Sequence, residues 1–200
     1  MELPPCELGK LKEICNIVTT SLHPLIRREK LTLAIENEQY IPKLLDIFRI
    51  CEDLEDRNGL HYLYEIFKHL FLLNHHSLLE IMLDDNLVEG TIGCLEHDPR
   101  LTKPRRHREF LRSKVKFKEV IPIDNSQLLF KIHQTYRAQF IQDVVLPTPS
   151  VFEDNTASAL SSLIYLNKIE IVNIVQVSKM IYTSVNKILA ITYALYLDIQ

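Results

Sequence analysis

Few residues of this chain stand where chemistry would need them. His75 and His76 are adjacent, and His61 and His69 lie eight apart with no third ligand. A metal needs donors that converge, whereas neighbouring helical residues point about 100° apart. No H-E-x-x-H run occurs, so these histidines read as surface or capping residues. Asp84-Asp85 is the kind of carboxylate pair that does acid–base work. Just before Leu87, however, it falls in a helix–helix turn, where an aspartate caps. Cys6, Cys15, Cys51 and Cys94 make no C-x-x-C pair and no zinc-finger spacing. Free thiols in helices point to a reducing compartment. Phosphate-loop, dinucleotide and nucleophile-elbow motifs are absent, and Gly90-Thr91-Ile92-Gly93 lies inside a helical pattern. No catalytic residue, metal site or cofactor is expected, and the chain does not read as an enzyme.

A binding surface is the remaining chemistry. Lys103 to Lys118 holds eight Lys or Arg against Glu109 alone, a charge of +7. The whole chain carries -3, which leaves -10 elsewhere. A basic stripe on an acidic body can meet an acidic protein face, a phosphorylated segment or nucleic acid. Lys103, Arg105, Arg106, Arg108 and Arg112 are the candidate partner-binding residues; a merely solvated face is the competing reading. Nucleic acid is the weaker partner class, because residues 103–109 lack stacking aromatics. Thr148, followed by Pro149, is a candidate proline-directed phosphosite, set against a rigid two-proline turn. A phosphate there would seek arginine partners. Asn74 and Asn167 recur at matching positions of an internal repeat. Two readings stand for them: a grip on an extended peptide backbone, or left-handed caps.

The elements that must carry these residues are helical. Glycine numbers four, tryptophan is absent, and 46% of residues are hydrophobic. That composition favours helix and supplies a core for one domain of this length. Leu8, Leu11, Cys15 and Val18 recur at helical spacing, as do Ile41, Leu44, Leu45 and Phe48. A helix from Pro24 to about Glu36 would turn Leu25, Leu31, Ala34 and Ile35 inward. The strongest pattern is Leu60 to Leu73, where Leu63, Ile66, Phe67, Leu70 and Phe71 make a broad apolar face. Shorter helices are predicted over Ser77–Leu83, Leu87–Leu95 and 106–111, then a longer one from Ser126 to Tyr136 with Leu129, Ile132, His133 and Tyr136 as its stripe. Phe117 to Pro122 reads as extended, since the residue before a proline avoids the helical region.

Residues 41–48 align with 88–95 at an offset of 47, and 71–82 align with 164–175 at 93, close to twice that period. Such a period on helical segments marks armadillo or HEAT stacking. The repeat also assigns the β-branched stretch Ile169–Val177 to helix, against its local propensity. The expected fold is all-α, an armadillo/HEAT-like helical repeat solenoid with one basic, proline-punctuated interruption. The N-terminus lacks the cationic start and apolar core of a signal peptide. Ile188 to Leu197, at ten residues, is too short to span a bilayer, so no membrane partner is expected.

Several unlinked segments, in order, resemble one family. They include Ile26-Arg27-Arg28-Glu29-Lys30-Leu31, Gly59-Leu60-His61 with Leu63-Tyr64-Glu65-Ile66, and Arg106-His107-Arg108-Glu109-Phe110-Leu111. Further on come Phe117-Lys118-Glu119-Val120-Ile121-Pro122-Ile123, Lys131-Ile132-His133-Gln134-Thr135-Tyr136-Arg137 and Leu146-Pro147-Thr148-Pro149-Ser150-Val151-Phe152-Glu153. Together they resemble the SMEK/Falafel family, the regulatory subunit 3 proteins of protein phosphatase 4. The resemblance implies an armadillo-type domain of a noncatalytic subunit, with phosphatase 4 catalytic and scaffold subunits and phosphoprotein substrates as partners. It also implies roles in DNA damage signalling and cell division, in nucleus and cytoplasm. It covers residues 1–176, the helical repeat domain, and leaves 177–200 as a divergent apolar tail. The family's pleckstrin-like substrate-binding domain and its acidic tail have no counterpart here. The expectation is therefore a truncated, alternatively spliced or degenerate member.

Overall fold

A computed structural model describes residues 3–113, 117–119, 122–146 and 154–177. Among them the chain is helix and turn, without strand. A 3-10 turn, Leu8–Lys10, leads into α1 (Leu11–Thr20), followed by α2 (Leu25–Asn37), α3 (Tyr40–Asp53) and α4 (Arg57–Leu72). Next come α5 (His76–Met82), α6 (Val88–Leu95) and α7 (His107–Ser113). α8 (Ser126–Phe140) passes into a π turn, Ile141–Val145, and α9 spans Asp154–Val177. The β-branched stretch 169–177 is helical, because Leu160, Leu163, Ile164 and Ile171 of the same helix are buried against neighbours. Packing overrides the local preference.

α4 is the hub. Leu63, Ile66, Phe67, Leu70 and Phe71 are all fully buried, as their spacing predicts. α1, α3, α6 and α9 pack around it, while α2 packs on α3 and α8 packs on α9. A single apolar cluster runs from Leu3 to Ile164. α4 begins three residues earlier than the apolar pattern suggests. The Asp56 carboxylate accepts the Gly59 N–H at 3.1 Å and caps the first turn. A Cβ on Gly59 would come within 2.6 Å of both the Asp56 carboxylate and the Cys51 sulfur, so the cap fits only glycine.

Two predicted faces are turned. In α2, Leu31 and Ile35 are buried, but Leu25 is 63% exposed. At 100° per residue it sits roughly a quarter to a third of a turn off the Leu31/Ile35 stripe. In α8 the buried positions are Leu128, Lys131, Ile132, Gln134, Thr135, Ala138 and Phe140. Leu129, His133 and Tyr136 are only half-buried. The helix opens at Ser126, as the sequence suggests, and Asn125 caps it: its side chain accepts the Leu128 N–H at 2.9 Å. Phe117 lies across the helix, its ring 4.5 Å from that of His133 and 5.7 Å from that of Tyr136.

The repeat is visible and imperfect. Its two copies of the 41–48 pattern are α3 and α6, both packed on α4. The other pair diverges. Asn74 follows α4 in a left-handed conformation, φ 48°, and breaks the chain before α5. Asn167 sits inside α9, which runs on without a break. Asn74 is thus a cap, and the alternative grip on a peptide is not its geometry. Asn74→Ala is expected to lose about 1 kcal/mol, and Asn74→Gly to lose almost nothing, because only the alanine Cβ is strained there. Urea unfolding of the two variants side by side checks this; equal losses would remove the conformational explanation.

Candidate interaction surface

The basic block hangs on a tight turn after α6. The Asp98 carboxylate accepts the Arg100 N–H at 2.9 Å and the Arg100 guanidinium at 2.8 Å. Tyr64 of α4 lies within 3.5 Å of the same guanidinium. The Arg105 N–H then donates to the Glu96 carbonyl at 2.9 Å, closing the loop ahead of α7. Hydrogen bonds from Arg100 hold the Asp98 carboxyl down, at about 2.

Arg108 is turned inward. Its N–H and Nε donate to the two Glu96 carboxylate oxygens at 2.7 and 2.8 Å, and its far nitrogens reach Glu52 of α3. The guanidinium carbon stands 5.4 Å over the Phe48 ring, an attractive cation–π position. Burial works against its charge, but Glu52 and Glu96 outweigh that and hold the guanidinium firmly protonated. Glu96 is only 4% exposed. Gly93 makes room: a Cβ there would lie 2.7 Å from the Phe48 ring and 2.9 Å from the Arg108 guanidinium.

The other four candidates remain outside. Arg106 is exposed and paired with Glu109 at 3.3 Å, one turn along α7. Arg112 is exposed and paired with Glu89 of α6. Lys103 is exposed and Arg105 half-exposed, and neither side chain makes an ion pair among the described residues. The structure therefore separates the five cations: one is internal, two are partly neutralised and two are open. Lys114 and Lys116 lie outside the described residues, as does Thr148.

A second polar cluster lies between α8 and α9, and of its members only Asn167 stands out in the sequence. Lys131 of α8 is 9% exposed and pairs with Glu170 of α9 at 3.0 Å and Glu80 of α5 at 3.4 Å. Asn167 is fully buried; its amide donates to the Gln134 side chain at 3.0 Å, and its oxygen lies 3.4 Å from the Lys131 ammonium. Asn167 therefore neither caps a helix nor faces outward. Nothing in the sequence joins Lys131 to Asn167, which reads there as a cap or a grip on a peptide; only the pairing of α8 with α9 brings them together.

The histidine pair and the aspartate pair make local contacts. His75 bonds Ser77 at 2.7 Å, and His76 lies 3.5 Å from Glu80. Asp84 accepts the Asn86 N–H at 2.9 Å as a turn cap, and Asp85 pairs with Arg137. Burial pushes the Cys15 and Cys51 thiols up to about 11, away from reactivity. Among the described residues no group of three or more His, Cys, Asp or Glu gathers to hold a metal ion. No helix among them is long and apolar enough to cross a membrane.

These burials set the acid response. Burial lowers the pKa of His97, His107 and His133 from the ordinary 6.5. The unfolded chain then binds more protons, so stability falls as pH drops below about 6.5. Asp98 adds a second step. Its contribution, about 2 kcal/mol, is present above pH 4 and is lost as pH falls through its folded value of about 2. Asp98→Asn should flatten the lower step alone. Urea titrations from pH 7 to 2 check it, and an unchanged lower step would contradict the assignment.

Similarity to known proteins extends over most of the chain rather than one patch. The family described as Phosphatase 4 regulatory subunit 3 matches residues 13–192. The fruit fly Drosophila melanogaster protein "Serine/threonine-protein phosphatase 4 regulatory subunit 3" is 52% identical over 177 residues, 88% of this chain and 18% of that protein. The mouse protein "Protein PPP4R3C1" is 44% identical over 176 residues, 88% of this chain and 22% of that protein. The chain thus spans about a fifth of the length of these curated relatives. No solved structure matches.

Proposed function

We propose, since this chain belongs to the phosphatase 4 regulatory subunit 3 family, that it is a noncatalytic regulatory or scaffolding element of a phosphatase 4 complex. The observation that carries this reading is the 52% identity over 88% of the chain. The family is a regulatory subunit, not the catalytic chain. The all-α helical repeat solenoid supports the reading, because stacked helices offer an extended surface and no catalytic group is asked of them.

The proposed partners are the phosphatase catalytic and scaffold subunits on one side and phosphoprotein substrates on the other. The mechanism is tethering: holding a substrate near the catalytic chain raises its effective concentration without a new contact at the active site. An armadillo-type stack, activity in nucleus and cytoplasm, and work in DNA damage signalling and cell division complete the proposal. Nucleic acid is the weaker alternative for the basic block, since Arg106, Arg108 and Arg112 already hold carboxylates.

Co-elution of this chain with a purified catalytic–scaffold pair on size exclusion tests the proposal. A shared peak supports a subunit-binding face on the solenoid; separate peaks from a cooperatively folded sample would refute one. The variant Lys103→Glu/Arg105→Glu/Arg106→Glu then tests the block. It is expected to change stability by no more than about 0.5 kcal/mol per site, because these side chains are outside the core. It is expected to weaken co-elution at least about tenfold, with an accompanying loss of salt sensitivity. Undiminished co-elution would place the partner elsewhere.

A further inference from the structure

The loop between α6 and α7 is tied at its base and open at its tip. The Leu101 N–H donates to the Asp98 carbonyl at 3.0 Å, and the Arg105 N–H donates to the Glu96 carbonyl at 2.9 Å. Between those ties Thr102 and Lys103 make no backbone hydrogen bond among the described residues, and Pro104 has no N–H to give. Thr102 is exposed, and its hydroxyl has no hydrogen-bond partner among the described residues. The other described serines and threonines lie in helices, apart from Ser21, which is buried. Thr102 is therefore the one exposed Ser or Thr hydroxyl on non-helical backbone among the described residues. A protein kinase needs such a hydroxyl, because it must reach the catalytic aspartate and the γ-phosphate together. A helical serine has to unwind first, whereas Thr102 has no bond to break.

The neighbours of Thr102 carry one sign of charge. Arg100 stands two residues before it, and Lys103, Arg105 and Arg106 stand one, three and four after it. No acid lies between Pro99 and Arg108. Arg100 holds Asp98, yet its side chain is 60% exposed. Cations on both sides of a hydroxyl suit a kinase whose substrate cleft is acidic. We propose that Thr102 is a phosphorylation site for a basophilic protein kinase, and that its phosphate closes the basic face beside it. This switch rests on the reading of that face as a partner surface. In the transfer, the Thr102 Oγ attacks the γ-phosphorus of Mg-ATP, the bond from that phosphorus to ADP breaks, and the hydroxyl proton passes to the kinase aspartate. The product adds a charge of about −1.5 to −2 next to Lys103 and Arg105, the two cations that hold no carboxylate among the described residues. A phosphate of the chain itself then takes the donors that an acidic partner would use.

The folded 200-residue chain, treated with Mg-ATP and the catalytic domain of protein kinase C, tests the site. Time-resolved tandem mass spectrometry maps the phosphate. Thr102 is expected to gain it at least about tenfold faster than Ser113 or Ser162, which lie in α7 and α9. No phosphate at Thr102, or incorporation no faster than at those helical serines, overturns the site. The phosphorylated chain, titrated with the catalytic–scaffold pair, should bind at least about tenfold more weakly than the untreated chain. Thr102→Ala, treated alike, should keep the binding of the untreated parent; a matching loss there would assign the effect to another hydroxyl and overturn the switch. Undiminished binding of the phosphorylated parent also overturns it. Lys103→Glu/Arg105→Glu/Arg106→Glu then locates that failure. Weakened binding of this variant keeps the basic face as a partner surface without a switch, and unchanged binding removes the face as well. A parent chain that does not bind the pair removes the switch together with the reading it rests on, while the phosphate map still decides the acceptor.

Discussion

Arg108→Glu is expected to cost about 3–5 kcal/mol of folding stability, whereas Arg106→Glu, two residues away, should cost no more than about 0.5. The two arginines look alike in the sequence. Arg108, however, holds both oxygens of Glu96, which is 4% exposed, and reaches Glu52 across the α3–α7 gap. Removing the cation leaves the buried Glu96 carboxylate with only the backbone N–H of residue 108 and no counter-charge, and a new glutamate adds a third negative charge over the Phe48 ring. Arg108→Lys should not rescue fully, because a point charge cannot fork to two carboxylates while stacking on a ring. Urea unfolding with equal slopes for all three variants checks the ranking. A loss below 1 kcal/mol for Arg108→Glu would show that this arginine is a surface group. A charge-reversal test of partner binding must therefore spare Arg108; otherwise it would report unfolding as lost affinity.

Phe67→Ala should be comparably damaging, at about 3–5 kcal/mol. Phe67 is fully buried in α4, whose faces are shared by α1, α3, α6 and α9. A cavity there has walls on several helices and cannot collapse without moving them together. Phe110→Ala is the control: that ring is 43% exposed and lies near-parallel to the Phe140 ring at 6.3 Å, so about 1 kcal/mol or less is expected. Typical domains have only about 5–15 kcal/mol in total, so Phe67→Ala removes a large share. Near-equal losses from the two substitutions, or a melt that broadens into separate steps, would mean that α4 does not unite the helices in one cooperative unit.

Much of the fold was legible because its signal is local. The i, i+3, i+4 pattern of Leu63, Ile66, Phe67, Leu70 and Phe71 states both the helix and its buried face. The 93-residue offset carried helix into 169–177, against β-branched propensity. Legibility ended where a residue's role depends on a distant partner. Arg108 is 56 residues from Glu52, and nothing in Arg105-Arg106-His107-Arg108 tells the inward arginine from the outward ones. Lys131 and Asn167 are polar letters in amphipathic patterns, buried only because α8 meets α9. Leu25 errs the other way: an apolar letter off the stripe, left in solvent.

The packing of α1 on α4, across the intervening α2 and α3, has a consequence for synthesis. A growing polypeptide emerges from its N-terminus, so α1, α2 and α3 leave the ribosome before the helix they share. Until Leu72 has cleared the exit tunnel, Leu11, Ile14 and Val18 lack the α4 face on which α1 packs. The stretch needed to close this core, from Leu11 to Leu72, is about a third of these 200 residues, and a nascent polypeptide halted short of Leu72 presents open apolar faces to the chaperones around the tunnel mouth.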